Sequence, residues 1–307
     1  MEQPPTVLPL ASSILVCLLL WGTLTAWVVV GGRIKQRKPL LRVEPQRDVP
    51  WRGIDLLAIL VVHTMGGLVL LQIALAVFGP EATRSVLVEN PSDLQRSHEL
   101  VRVLSEASWP VIVACVVMAV VIAPITEEFL FRLLLQGWLE KVDRRLRPRW
   151  PALGRLFRWG TLPVLTASFL FASLHYRGEV RQYDTNFLLF LMAGNALVTL
   201  FTVAVAVAMM RWVRGATWAD LGWVPRRFLS DVVLGLVSFM TIAMPIYSIQ
   251  IALTSLLPKE FSPDPITLFF FALVLGTLYL RTHRIVPSIV AHMALNASSL
   301  LLLWASC

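Results

Sequence analysis

Eight apolar runs, most of them about as long as a helix needs to cross a bilayer, divide this chain of 307 residues. They fall at about 8–31, 54–79, 109–133, 161–176, 187–210, 230–256, 266–280 and 285–305, the fourth and seventh being short. Hydrocarbon offers no partner to backbone N–H and C=O groups, so such runs must be helices. The fold class that follows is all-α: a polytopic transmembrane helical bundle of about eight spans. Composition agrees, with 57% apolar and 15% charged residues. A soluble globular chain has about 45–50% and about 25%. That balance excludes a disordered chain, a coiled coil and a cytosolic enzyme.

The first run is not preceded by the basic residues of a signal peptide. Residues 1–8 carry Glu2 and no Lys or Arg, and the basic cluster Arg33, Lys35, Arg37, Lys38 follows it. This is the pattern of a first span whose N-terminus lies outside. The other loops alternate accordingly. Segments 32–53, 141–160, 211–229 and 281–284 hold 20 of the 27 Lys and Arg residues. Segments 1–7, 80–108, 177–186 and 257–265 hold 6, and the last, Arg132, lies inside a run. The first set is expected in the cytoplasm, with both termini outside and the protein in the cell membrane. Because the net charge of +8 is spread over these short loops, no nucleic-acid partner is expected. The Arg- and Trp-bearing segment 141–160 reads as a loop against lipid headgroups, and 80–108 as an outer cap. Cys17, Cys115 and Cys307 make no disulfide framework.

Ionisable residues at membrane depth are costly and need partners or a function. Three clusters stand out. Glu127, Glu128 and Arg132 follow Pro124 in the third run. Glu128 and Arg132 are four residues apart and share a helix face, so they pair. Glu127 points about 100° away, without such a neighbour, and is free to exchange a proton with water. His175 ends the fourth run, four residues after Phe171. His292 and Asn296 share one face of the eighth. Together these are the groups of one hydrolytic site: a carboxylate for water, imidazoles for a metal or an oxyanion, an amide donor. His63, in the second run, has no polar residue at helical spacing and reads as a packing residue; His98 and His283 fall in loops.

The motifs EEFLFR (127–132), FASLH (171–175) and HMALN (292–296), in this order, resemble the signature of the CAAX-protease and bacteriocin-processing family of intramembrane proteases, also called the Abi family. The flanks APITEEFLFRLLLQGWLE and LGTLYLRTHRIVPSIVAHMALN are similar to family sequence too, and the chain as a whole resembles the type II CAAX prenyl endopeptidases of this family. The resemblance covers roughly 109–176 and 263–300. It implies that Glu127 activates the attacking water and that His175 helps hold that water or a metal. It implies that His292 and Asn296 orient the water or stabilise the oxyanion, and that Glu128 and Arg132 support the helix. Members are usually described as metalloproteases, so a divalent metal, zinc first, on Glu127, His175 and His292 is an expectation. HExxH is absent and Asn is a poor zinc ligand, so a metal-free glutamate protease is equally consistent. The implied partners are the lipid bilayer and a membrane-associated or hydrophobic peptide substrate.

The implied organisation is an N-terminal two-span region with its outer loop (1–108) and a protease-like domain (109–307). The second and third motifs lie farther apart than the family has them, so 178–261, with two spans, reads as an insertion. Depth poses a difficulty. At 1.5 Å per residue, His292 lies about 12 Å from the inner boundary, His175 about 21 Å and Glu127 about 9–20 Å. The three meet only if the fourth helix tilts or begins below the bilayer surface. Two other classes accommodate the same residues: a proton-coupled transporter, and a catalytically silent membrane scaffold or immunity protein.

Overall fold

The computed structural model describes residues 7–41, 43–44, 48–83, 86–87, 109–150, 157–176, 181–182, 185–258 and 262–304. Eight helices follow the eight apolar runs. They are α1 (Val7–Lys35), α2 (Gly53–Phe78), α3 (from Trp109 to Leu146), α4 (Thr161–Leu174), α5 (Thr185–Ala208, extended by the π turn Met209–Val213), α6 (Phe228–Leu256), α7 (Asp264–Thr282) and α8 (Val286–Trp304). Seven are long and apolar enough to cross a bilayer; α4, with 14 residues, is the exception. The only strand pairing among the described residues joins Val86 and Leu87 to Gln182 and Arg181. It places the loop after α2 and the loop before α5 on one side of the bundle. Of the expected outer cap 80–108, residues 84–85 and 88–108 lie outside the described residues.

Helix α3 departs most from expectation. Its membrane-compatible part runs over 36 residues, Val111–Leu146, about 54 Å at the helical rise. That exceeds the roughly 30 Å of hydrocarbon. The first residues of the supposed loop 141–160 are therefore helix. The segment GWLEKVDRRL continues in good helix formers, and Arg144 and Arg145 in its last turn complement the helix dipole. Two π stretches, Met118–Ile122 and Phe129–Gln136, widen the helix on either side of Ala123–Glu128. Pro124 accounts for the first. It has no N–H to give to the preceding turn, and the looser register absorbs its ring.

The overhang of α3 resolves the depth difficulty. Helix α4 packs along α7 and along both Phe129–Gln136 and Gly137–Leu146 of α3, so it begins beside the overhang. Its start is pinned there. Asp143 Oδ2 accepts the Gly160 N–H (3.2 Å), and Arg147 donates to the carbonyls of Phe157 and Arg158 (both 2.9 Å). Gly160 takes φ 80°, and a Cβ there would lie 2.5 Å from Leu280. From that low start, a helix about 21 Å long brings His175 to the level of Glu127.

The four basic-loop segments touch one another beneath the bundle. Lys141 Nζ donates to the carbonyls of Val49 (2.7 Å) and Trp51 (2.8 Å). The buried Trp51 indole donates to Leu134 O (3.1 Å), inside the second π stretch. Arg214 makes a two-pronged contact with Asp55 (2.8 and 2.6 Å), tying the end of α5 to the start of α2. Arg284 pairs with Asp231 and lies 3.5 Å from Glu44. Above these ties α2 and α5 approach closely through small residues: a Cβ on Gly66 would sit 2.7 Å from Val198, and one on Gly194 2.2 Å from Leu70. Helix α6 packs against α8 and α1, and α7 against α4, α6 and α8.

His283 sits where α7 hands over to α8, in a left-handed conformation (φ 48°), its N–H bonded to Tyr279 O (2.7 Å). Its ring packs 5.7 Å from that of Tyr279, and its Nε2 lies 4.0 Å from Glu140 Oε2. Burial, then the nearby Arg144, push its pKa from the ordinary 6.5 down to about 4, against the pull of Glu44. The folded value is below the unfolded one, so between about pH 4 and 6.5 the unfolded chain binds more protons. The contribution of His283 to stability is therefore full above pH 6.5 and is lost as pH falls through that window. His283→Gln should flatten the decline of unfolding temperature in detergent between pH 7 and 5, and an unchanged decline would show that His283 is not its source.

Candidate active site

Three helices bring the sequence-predicted polar groups together. Glu127 and Glu128 come from α3, His175 from the end of α4, and His292 from α8. Glu128 points into the packed interior, where it and Arg132 are fully buried. Glu128 Oε2 accepts from Arg132 Nε (3.3 Å), as the four-residue spacing requires. Its other oxygen, Oε1, accepts from His292 Nδ1 (3.0 Å) across 164 residues of sequence. The carboxylate needs a donor, so this contact places a hydrogen on His292 Nδ1, and in the neutral ring Nε2 then carries the lone pair.

His175 reaches the same state by a local route. Its Nδ1 donates to Phe171 O (2.8 Å), one turn back on α4, so in the neutral ring its Nε2 carries the lone pair too. Both Nε2 atoms face one oxygen: Glu127 Oε2 lies 3.7 Å from that of His292 and 3.8 Å from that of His175. The side chains of Glu127 and His175 keep 28% and 32% of their exposure, while His292 keeps 3%. The carboxylate next in sequence to the buried one is thus the one that opens onto unfilled space.

Phe171, a motif residue without an assigned role in the sequence, is the hub of the packing. Its ring lies 4.5 Å from the His175 ring and edge-on to that of His292 at 5.6 Å. The Arg132 guanidinium stacks 5.4 Å from its centre. Phe271 closes the other side of His292, also edge-on at 5.6 Å. The two terminal nitrogens of Arg132 are buried with no hydrogen-bond partner, which in an interior calls for ordered water.

Asn296 lies one turn beyond His292, but its Nδ2 donates to Ala119 O (2.8 Å) in the first π stretch of α3. Ala119 is five residues before Pro124, so this is the carbonyl that the missing proline N–H would have met in the π register. Asn296 repairs that defect and holds α8 against α3.

Glu127 and His175 open onto a cavity of about 410 Å³ between α2, α3, α4 and α5. Met118, Ile122, Leu130, Phe131, Leu174 and Met192 make it mostly apolar. Neither His292 nor Asn296 lines it; both sit behind Glu127. His63, read from the sequence as a packing residue, does line it, as do Asn195 and Thr199 of α5. Spacing along one helix gave no sign of this, because the polar neighbours of His63 come from another helix.

Two imidazoles and a carboxylate are the donor set of a catalytic zinc site. Bonds of about 2.0–2.1 Å in a tetrahedron hold ligand atoms about 3.4 Å apart. The separations here are wider, and among the described residues no three His, Cys, Asp or Glu side chains form a group ready to hold a metal ion.

The sequence matches the family described as type II CAAX prenyl endopeptidase Rce1-like, over residues 108–223 and 209–298. The chain belongs to this family. No curated protein and no solved structure matches it. The Rce1-like match spans all three motifs and every helix from α3 to α7 with most of α8. It places the chain in a class of CAAX-type membrane proteases, in keeping with its seven membrane-length helices.

The neighbouring carboxylates should part company on mutation. Glu128→Ala strips Arg132 and His292 of their buried acceptor and should cost about 3–5 kcal/mol, read as a lowered unfolding temperature in detergent. Glu127→Ala removes no hydrogen bond within the protein and should leave that temperature unchanged or raised. Equal losses would mean that both carboxylates serve packing.

Proposed function

We propose that this protein hydrolyses a peptide bond of a membrane-associated or hydrophobic peptide, with Glu127 as general base. The observation that carries the reading is the convergence of two imidazole Nε2 atoms on one accessible carboxylate oxygen at the wall of a cavity. A water held there gives one hydrogen to Glu127 and the other to one of the two Nε2 atoms, which leaves its oxygen lone pairs for the substrate carbonyl. Glu127 takes the proton as the oxygen attacks the substrate carbonyl. The same carboxyl then delivers the proton to the departing nitrogen as the C–N bond breaks. His292 is kept in its tautomer by Glu128, and His175 by the Phe171 carbonyl. Asn296 is a positioning residue in this scheme, since its donor is committed to Ala119.

The family points to a substrate with a C-terminal CAAX sequence carrying a prenyl chain, and the apolar lining of the cavity supports a lipidated or hydrophobic segment. The reaction would take place in the cell membrane, with substrate reaching the cavity from the bilayer or from the side of the basic loops. A divalent metal would use Glu127, His175 and His292 after these close by a few tenths of an ångström, and no step above is routed through one.

Purified protein in proteoliposomes with a prenylated CAAX peptide provides the test. Glu127→Gln should lower turnover by about 10²–10⁴, the usual worth of a positioned base, without loss of folding. Turnover equal to that of the wild type would overturn the assignment. Proton-coupled flux in the absence of any cleavage would move the protein to the transporter class.

A further inference from the structure

The α2–α5 side of the cavity carries polar groups that hydrolysis leaves without a task. Asn195 and Thr199 stand four residues apart on one face of α5, and His63 faces the same space from α2. Their hydrogen bonding decides what they offer. Thr202 Oγ1 gives its one proton to Val198 O (2.8 Å), so the long contact between Thr202 Oγ1 and His63 Nδ1 (3.4 Å) runs from the imidazole to the hydroxyl. In the neutral ring the hydrogen is then on Nδ1 and Nε2 is an acceptor. Thr199 Oγ1 gives its proton to Asn195 O (2.7 Å) and keeps its lone pairs. The Asn195 side chain has no hydrogen-bond partner among the described residues and brings both a donor and an acceptor.

The physical demand that these groups answer comes from the bilayer. A peptide bond is attacked in an extended segment, and an extended segment has given up its internal hydrogen bonds. In hydrocarbon each unsatisfied backbone group costs several kcal/mol. A mostly apolar cavity can admit such a segment only if its wall supplies partners. A wall rich in acceptors, with one amide able to meet N–H and C=O of a single residue together, suits peptide backbone. A carboxylate, which needs donors, finds a poor match there.

We propose that His63, Asn195 and Thr199 form a backbone-binding wall that holds the substrate's extended main chain alongside Glu127. The proposal rests on the peptidase reading for its ligand. It predicts recognition of main-chain amides rather than side chains. The rigid approach of α2 to α5 through Gly66 and Gly194 keeps the three groups in register. The segment around α5, an apparent insertion in sequence, thereby becomes part of the substrate site.

The test measures binding apart from turnover. A fluorescent prenylated CAAX peptide is titrated onto the Glu127→Gln protein, alone and combined with His63→Ala or Asn195→Ala. Each added substitution should weaken binding about tenfold, one hydrogen bond's worth. In the otherwise native protein each should raise KM and spare kcat. A peptide N-methylated near the scissile bond should lose the same affinity on the Glu127→Gln protein, but no more on the doubly substituted one. Asn195 is exposed, so its truncation leaves packing intact, and the unfolding temperature of each variant checks this. Binding and KM unchanged by both substitutions would overturn the wall while leaving the peptidase reading standing. Peptide binding that depends on the wall, with no cleavage by wild type, would overturn the peptidase reading alone. No binding at all would overturn both.

Discussion

A single buried carboxylate, Glu128, joins the two halves of the motif-bearing core. One oxygen takes the Arg132 guanidinium on its own helix, and the other takes His292 from α8. In a fully buried place at membrane depth neither partner can be left alone, because an uncompensated charge there is worth several kcal/mol. The pair of contacts therefore fixes the rotation of α8 against α3. The Asn296–Ala119 bond, one helical turn away, fixes its height. Two ties four residues apart leave α8 a single setting, and in that setting His292 Nε2 meets Glu127.

The two glutamates show how one dipeptide yields two environments. Helical geometry sends adjacent side chains about 100° apart, so one enters the packed interior and the other reaches the cavity wall. Glu128 has its acceptors filled, while Glu127 Oε2 faces the Nε2 atoms of two imidazoles at 3.7 and 3.8 Å.

The supports of this arrangement lie outside the membrane midplane. The long α3 carries its helix beyond the bilayer, and there Lys141, Asp143 and Arg147 hold the preceding and following loops. That base sets where α4 begins and hence where His175 ends. On the other side α2 and α5 pack through glycines and form a separate wall. The cavity is the space between the hydrogen-bonded motif residues and a close-packed pair of helices, which explains why its two sides differ in chemistry.

Much of this was legible in the residues alone. Apolar run lengths determined the all-helical class and nearly every span, because a bilayer imposes one length and one backbone solution. The four-residue spacing of Glu128 and Arg132 determined their pairing, and three polar clusters at membrane depth marked Glu127, His175 and His292. The overhang of α3 was hidden because charged residues in a helix read like charged residues in a loop. The bond from Glu128 to His292, the use of Asn296 at the Pro124 defect, and the place of His63 in the cavity were decided by tertiary structure. Sequence periodicity reports which face of a helix a residue occupies. It carries no record of which remote helix that face meets, and contacts across 164 residues are set only when packing brings the helices together.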